Sequence, residues 1–469
     1  MQQTDSIFPT FSSTGKAFAR ATSWTLRKAT KPILIGAMAL YTGIGISNKY
    51  QENYMLNKQL AVVSEIPQFD YLNYANRKNA MWHYQVGSSY VFPSKDGDIA
   101  QYYWAQSRKE RAGAVKEVTE KELDVALSHL QPAIEELKRG AACKPEDYCP
   151  PRKRAEYAEI FPEFAGIRSL ARVAAVDAGK KIEGGEVREG LEELLATVEM
   201  GNDVARDTIL IGHLVGYAVQ ENALGPLKEA LDAKTVNAVD TRYVARELER
   251  LDAEKVPLRE VLKDEYSFAR GSLINILGRH DFGFMEGGAP LWRAYVNIPG
   301  VKAMALNNFD RIFGGAINSS SKLYAEAIRG TGTDLEKEIP KYDLITKMVF
   351  PNLSPAITAE AKTRAILRGT ALMYALEAYK TEKGEYPERL DALKPEYVST
   401  ITLDPFSGNP FVYSRTEGGY QLYSVGPNVK DDKGKPLHAA KIHSRGPGDI
   451  VFQKGKYPYV RSGFLDWNL

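Results

Sequence analysis

Residues 32–47 contain no charged side chain and are mainly apolar or small. They follow a basic segment, residues 1–31, in which Asp5 is the single acidic residue. As a helix, the uncharged run would extend about 24 Å, somewhat less than the roughly 30 Å of a bilayer's hydrocarbon core. We therefore predict a basic cytoplasmic segment over 1–31 and one transmembrane helix over 32–48.

The basic residues before this apolar run orient the chain. By the positive-inside rule the N-terminus stays in the cytoplasm, which predicts a single-pass membrane protein whose bulk lies outside the cytoplasm. A cleaved signal peptide and a buried helix of a soluble domain are the alternatives. Ala39, Gly43 and Ser47 recur at every fourth position, a spacing that lets a second helix approach closely, although small residues are also common in membrane helices generally.

Charge and composition restrict the class of protein. Lys and Arg number 61 against 59 Asp and Glu, a net charge of +2, so nucleic acid is not expected as a partner. Hydrophobic residues make up 44% of the chain and charged residues 26%, which is ordinary for a protein that buries a core. This composition excludes wholesale disorder and a multi-span membrane protein.

The two cysteines, Cys143 and Cys149, lie close together in a polar stretch that contains prolines. An oxidising compartment would favour a local disulfide between them. Free thiols are the main alternative. A zinc site would need two further ligands, and no histidine lies nearby in the sequence.

Three segments follow the predicted anchor. Residues 49–115 are rich in aromatic residues without a clean helical or strand period, which predicts a loop-rich segment that packs on the next domain or docks a partner. Residues 116–355 contain successive amphipathic patterns with short breaks, as in an α-helical hairpin stack. Residues 356–469 begin with a helix and continue with short strand-like runs and turn signals, which predicts an α+β domain. The predicted fold class is therefore mainly α.

Local signals in these segments predict particular helix faces. The pattern between Leu123 and Ile134 places its apolar residues on one stripe of a helix. Glu192 and Glu193 are expected on the solvent face of an amphipathic helix. His213 lies in an apolar helix, where a buried and hydrogen-bonded histidine is favoured over a metal ligand.

The C-terminal quarter of the chain contains a series of motifs in the order in which they occur in a known domain. A helix end lies at residues 375–380 and 384, and a YP pair follows at 386–387. A DPF turn lies at 404–406 and continues through 408–411 and 413. An LYSVG run lies at 422–426 and a DI pair at 449–450. This segment resembles the globular domain of the major pseudopilin of type II secretion systems. The layout as a whole also resembles uncharacterised bacterial membrane-anchored envelope proteins, which implies a location in the bacterial inner membrane with the bulk of the chain in the periplasm.

The resemblance implies the pseudopilin fold and a docking role, but not filament assembly. Pseudopilins begin with a prepilin cleavage site that is followed directly by an apolar helix, and no such site precedes the predicted anchor. The corresponding helix of this chain lies far downstream and carries Lys362, Arg364, Arg368 and Lys380. A pilus subunit is therefore not expected.

The family can bind calcium in the loop before the DI pair, so the resemblance implies a calcium site at Asn428, Asp431, Asp432 and Asp449. Calcium takes six to eight oxygen ligands. Asn428 stands where the family has an aspartate, and the lysines at positions 430, 433, 435 and 441 would oppose a cation. A solvated charged loop without metal is the alternative, and no other cofactor is indicated.

The sequence contains no recognisable catalytic motif and no pair of carboxylates that can be assigned to acid–base work. We therefore predict a non-enzymatic envelope protein that acts as an accessory, structural or scaffold subunit of a membrane complex or a secretion-type assembly. Its expected partners are other subunits of that complex and the lipid bilayer. The alternatives are a hydrolase with a dispersed active site that acts on envelope polymers, and a ligand-binding solenoid released after signal cleavage.

Overall fold

The computed structural model describes residues 79–107, 117–143, 162–206, 208–231, 236–279, 289–320, 322, 324–330, 335–351, 353–437 and 446–453. These ranges are mostly helical, with a small three-stranded sheet near the C-terminus, in agreement with the mainly α prediction. None of the helices in these ranges is long and apolar enough to cross a membrane. The predicted span over 32–48, with Ala39, Gly43 and Ser47, lies outside them.

The segment predicted to be loop-rich contains two helices, α1 (Ala80–Val91) and α2 (Lys95–Ser107). Asn79 caps the N-terminus of α1, and its side-chain oxygen accepts hydrogen bonds from the backbone N–H groups of Met81 and Trp82. Tyr84 is fully buried whereas Tyr90 is 47% exposed. Aromatic residues therefore lie on different faces of α1, which hides the helical period, and the loop prediction is wrong over both helices.

Helix α3 (Glu120–Ala141) begins with a capping box. The Thr119 side chain accepts a hydrogen bond from the Glu122 backbone N–H, and the Glu122 carboxylate accepts one from the Thr119 backbone N–H. The predicted apolar stripe is buried and α3 packs against α1, which confirms that prediction. At Gly140 a Cβ atom would lie 2.4 Å from the ring of Tyr84, so this contact requires glycine.

Helices α4 (Pro162–Glu183), α5 (Val187–Val204) and α6 (Leu210–Ala230) pack against their neighbours in sequence as two antiparallel hairpins. Gly185 has a φ of 94° and lies in the turn between α4 and α5, which is one of the short breaks predicted between the amphipathic patterns. The hairpin arrangement predicted from the short breaks is therefore present in this part of the chain.

The backbones of α5 and α6 come into direct contact at two glycines. A Cβ atom on Gly216 would lie 2.4 Å from the carbonyl oxygen of Gly201. Conversely, a Cβ atom on Gly201 would lie 2.7 Å from the carbonyl oxygen of Gly216. Any side chain at either position would force these two helices apart.

The chain continues through further helices, α7 (Ala238–Ala253), α8 (Leu258–Arg279), α9 (Ala289–Val296), α10 (Val301–Ser320), α11 (Tyr324–Gly330) and α12 (Leu344–Val349). The described residues belong to two compact units. One unit contains 270–311 and 339–350, and the other contains residues within 66–269, 312–338 and 351–469. In the smaller unit, Asp343 caps α12 by accepting a hydrogen bond from the backbone N–H of Thr346 at 3.0 Å.

Helix α13 (Leu353–Lys383) is the helix predicted at the start of the C-terminal domain, and it packs against both α6 and α7. It ends at Gly384, whose φ of 86° confirms the predicted glycine stop. An antiparallel sheet follows, in the order β1 (Val412–Thr416), β2 (Gly419–Ser424) and β3 (Ile450–Val451).

One continuous apolar core joins the helical region to the C-terminal sheet. It contains Leu194 of α5, Leu248 of α7, Leu372 of α13 and Phe406 and Leu422 of the sheet region. The boundary predicted between residues 355 and 356 lies inside α13, a few residues after the division between the two compact units at residues 350 and 351. Helix α13 itself packs on one side against α6 and α7 and on another against the sheet.

Candidate functional site

Three charged side chains of α13 form ion pairs with α6 and α7. Lys362 is 1% exposed, and its Nζ lies 2.7 Å from Glu221 of α6. Arg364 and Arg368 both bind Asp252 of α7, through contacts of 3.2 and 2.7 Å to its two carboxylate oxygens. Lys362, Arg364 and Arg368 thus fix α13 to α6 and α7 through ion pairs.

A histidine, a tyrosine and a glutamate meet beside these ion pairs. His213 is fully buried, and its Nε2 lies 3.3 Å from Oε2 of Glu360 on α13. The hydroxyl group of Tyr217 is hydrogen-bonded to the same carboxylate oxygen and to the same imidazole nitrogen. The other ring nitrogen of His213, Nδ1, lies 3.4 Å from the carbonyl oxygen of Ala205.

The electrostatic environment keeps Glu360 ionised. Burial opposes the charged form, but the hydrogen bond with His213 and the positive charges of Arg364 and Lys255 outweigh it, so the pKa of Glu360 lies well below its ordinary value. Burial and the negative charge of Glu360 together raise the pKa of Tyr217 well above its ordinary value. The tyrosine therefore remains a neutral hydrogen-bond donor.

Lys255 completes this group, and we name Asp252, Lys255, His213, Tyr217, Glu360, Arg364 and Arg368 the α13 polar cluster. The Lys255 Nζ donates a hydrogen bond to Oε1 of Gln220 at 2.8 Å and lies 4.6 Å from the centre of the Tyr217 ring. Its side chain is 4% exposed. Burial lowers the pKa of Lys255 to about 7, and the charges of Glu360 and Asp252 only partly offset this effect.

A hydrogen-bond chain extends the cluster to α5. Gln220 donates from Nε2 to Oδ1 of Asn202 at 2.6 Å, and Asn202 donates from Nδ2 to the carbonyl oxygen of Leu251 at 2.9 Å. Both polar side chains are buried and both are held by protein partners. The arrangement ties α5, α6 and α7 to the helix that carries the C-terminal sheet.

A second buried charge group lies between α4 and α5. The Lys181 Nζ lies 2.9 Å from a carboxylate oxygen of Asp177, of Glu189 and of Glu193. Burial, with the nearby charge of Asp177, raises the pKa of Glu193 to about 8. The prediction that Glu193 faces solvent is wrong, since its side chain is fully buried, whereas Glu192 is 47% exposed as predicted.

The four residues implied as calcium ligands do come together in the loop after β2. Asp449 is fully buried, and both of its carboxylate oxygens accept backbone N–H groups, from Asp432 and Gly434. The Asn428 side chain donates to Asp432 Oδ2 at 2.8 Å, and the Asp431 carboxylate accepts from Tyr423. Within the described ranges no group of three or more His, Cys, Asp or Glu side chains is arranged to hold a metal ion.

Of the two cysteines predicted to form a disulfide, only one is among the residues that the structure describes. Cys143 follows the end of α3 and is half-buried, whereas Cys149 lies outside the described residues. The predicted pairing therefore remains a prediction.

Sequence reasoning did not single out Tyr217, Lys255, Glu360 or Asp252. A partial signal was present, because Glu360, Arg364 and Arg368 recur at every fourth position of α13 and thus share one face. His213 and Tyr217 have the same spacing on α6. The sequence does not show which other helix supplies the opposite charges, because Asp252 lies far from α13 along the chain.

Comparison with protein families, with curated proteins and with solved structures gives no match for this chain.

Proposed function

We propose that this protein is a non-enzymatic, membrane-anchored envelope protein that serves as an accessory or scaffold subunit of a membrane complex or secretion-type assembly. The observation that carries the proposal is the packing of α13 against the helices α6 and α7. This helix shares the core of α5 and α7 and is fixed by the pairs of Arg364 and Arg368 with Asp252. A rigid connection of this kind suits a part that holds other proteins at a set position.

The organisation of the C-terminal motifs supports a pseudopilin-like docking role. The carboxylate of Asp404, in the DPF turn, is buried and accepts hydrogen bonds from the hydroxyl groups of Ser407 and Ser424 and from two backbone N–H groups. Gly408 in the same turn has a φ of 74°. The motif residues thus stabilise a small, well-packed sheet on the end of α13, which in the proposed assembly would present a surface to a partner subunit.

The charges of the α13 polar cluster support a structural role for the cluster. Asp252 accepts hydrogen bonds from two arginines, and Glu360 accepts one from Arg364 at 2.5 Å. Buried charges in proteins are stable when they are paired and hydrogen-bonded in this way. The same side chains therefore hold helices together, which is the property that a scaffold needs.

The anchor and the location of the protein belong to the same proposal and rest on the sequence. Residues 32–48 would span the bacterial inner membrane once, with the basic residues 1–31 in the cytoplasm and the bulk of the chain in the periplasm. In that compartment Cys143 and Cys149 would form a disulfide.

The proposed scaffold function is tested by mild detergent extraction of the full chain from native membranes, followed by size separation and mass spectrometry. We expect a stable set of co-migrating subunits in which this chain has a fixed stoichiometry. A chain that migrates alone after mild extraction would contradict the proposal and would direct attention to the hydrolase alternative.

The anchor is tested separately by membrane fractionation with an alkaline wash. The full chain should stay in the membrane pellet, whereas Leu40→Arg should weaken retention, because an arginine at the centre of a span costs about 2.5 to 3.5 kcal/mol on insertion scales. Leu40→Ile is the matched control and should behave like the wild type. Release of the wild type by the wash, or an N-terminus that begins after residue 48, would contradict an uncleaved anchor.

A further inference from the structure

The loop after β2 is closed by hydrogen bonds that run directly from protein donors to carboxylates. Asp449 reaches into this loop from the residue before β3. Its Oδ1 accepts the backbone N–H of Asp432 at 3.2 Å, and its Oδ2 accepts the backbone N–H of Gly434 at 2.7 Å. The side chain is fully buried, so these donors replace water around the carboxylate.

Asp432 forms the second centre of this hydrogen-bond network. Its Oδ2 accepts two hydrogen bonds, from the side-chain amide of Asn428 at 2.8 Å and from the backbone N–H of Gly448 at 2.5 Å. The Asn428 amide oxygen in turn accepts the backbone N–H of Lys430 at 3.0 Å. Asn428 therefore orients its amide by one hydrogen bond and neutralises part of the Asp432 charge by another.

The third carboxylate of the loop is occupied in the same manner. Oδ1 of Asp431 accepts the hydroxyl group of Tyr423 at 2.9 Å and the backbone N–H of Lys433 at 2.8 Å. Each of the three aspartates thus has at least one oxygen whose partners are N–H or O–H donors.

The contact between Asn428 and Asp432 does not fit a calcium ion between these two side chains. Calcium requires six to eight oxygen ligands at about 2.3 to 2.6 Å, whereas an N–H group of the Asn428 amide points at Oδ2 of Asp432. A cation at this place would need oxygen atoms of both side chains to face it. The residues present therefore do not fit a calcium site.

We propose that this loop is a metal-independent closure, in which the amide of Asn428 performs the bridging task that a divalent cation would perform between two carboxylates at positions 428 and 432. The inference concerns the metal requirement of the C-terminal sheet and does not depend on the proposed scaffold function. It predicts that the wild-type loop is complete without calcium, and that a single change of amide to carboxylate creates a demand for it.

The experiment is thermal unfolding of the full chain in detergent, in EDTA and in millimolar CaCl2, with MgCl2 as a second salt. The wild type should unfold at the same temperature in all three solutions. Asn428→Asp should unfold at a lower temperature in EDTA, because two carboxylates then face each other, and calcium should recover the loss in a concentration-dependent way. Asn428→Ala is the matched control, which loses the hydrogen bond without adding charge and should not respond to calcium.

Limited proteolysis between β2 and β3 gives a local readout for the same variants, in case the global transition is dominated by the helical region. A wild-type protein that gains thermal stability or protease resistance in calcium, and not in magnesium, would overturn the proposal. Failure of calcium to protect Asn428→Asp in either measurement would also overturn it, since the amide would then not stand at the place of a cation.

Discussion

Arg368 on α13 donates from its guanidinium Nε to Oδ2 of Asp252 on α7, across a distance of 2.7 Å. The same guanidinium donates to the carbonyl oxygen of Leu403 at 2.7 Å, beside the DPF turn. One side chain thus connects the helical region, the long helix and the segment that leads into the sheet. The stability of the C-terminal part is therefore expected to depend on a residue of α7.

Replacing Asp252 tests that dependence. Asp252→Ala leaves Arg364 and Arg368 without their shared carboxylate, and we expect a loss of about 2 to 4 kcal/mol in the free energy of unfolding. The measurement is urea denaturation followed by circular dichroism. Asp391→Ala is the control, because Asp391 is exposed and should leave the midpoint unchanged. Equal midpoints for Asp252→Ala and the wild type would show that the pairs do not hold α13.

The backbone contact between α5 and α6 gives a second prediction. Gly216→Ala places a methyl group 2.4 Å from the Gly201 carbonyl oxygen, and the required shift of the helices should cost about 1 to 3 kcal/mol. Gly179→Ala in α4 is the control, since a Cβ atom there has no neighbour within 4 Å and should be neutral or stabilise by about 0.5 to 1 kcal/mol. Thermal unfolding of both variants checks this contrast, and a neutral Gly216→Ala would contradict it.

The hydroxyl group of Tyr217 should be coupled energetically to Glu360. Tyr217→Phe removes a donor from a partly buried carboxylate and should destabilise the fold by about 1 to 3 kcal/mol. In a double-mutant cycle with Glu360→Gln, the two effects should fall short of additivity by about 1 kcal/mol or more. Tyr90→Phe, at an exposed tyrosine of α1, should have no effect. Strict additivity of the pair would argue against a direct contact.

Lys255 gives a pH dependence with a definite sign. Its pKa is about 7 in the folded protein and about 10.5 in the unfolded chain, so between these values the unfolded chain binds the proton more tightly. The contribution of this residue to stability should therefore rise with pH across that window, by up to about 1.4 kcal/mol per pH unit. Below pH 7 the cost of the buried charge is constant.

Lys255→Met isolates this contribution, because methionine fills a similar volume without a charge. Relative to the wild type, the free energy of unfolding of the variant should be highest at pH 6, and this advantage should decrease steadily toward pH 10. The measurement is urea denaturation of both proteins across this range. Parallel curves for the two proteins would contradict the lowered pKa of Lys255.

Local features of the fold could be predicted from the sequence where they depend on neighbouring residues. The apolar stripe of α3, the break at Gly185 and the end of α13 at Gly384 follow from helical periodicity and from the backbone freedom of glycine. Helices α1 and α2 were missed because their aromatic residues occur on both buried and exposed faces. Glu193 was misplaced because its partner Lys181 belongs to the preceding helix.

The sequence by itself determined the mainly helical class, the turn at Gly185, the end of α13 at Gly384 and the α+β character of the C-terminal part. These properties depend on residues a few positions apart, so periodicity and turn chemistry are sufficient. Only the tertiary structure decided that α13 is docked on α6 and α7, and that Asp252, His213 and Glu360 belong to one cluster. The physical reason is that a buried charge is stable only beside its partner, and the partner of each arginine on α13 is set by helix packing and not by distance along the chain.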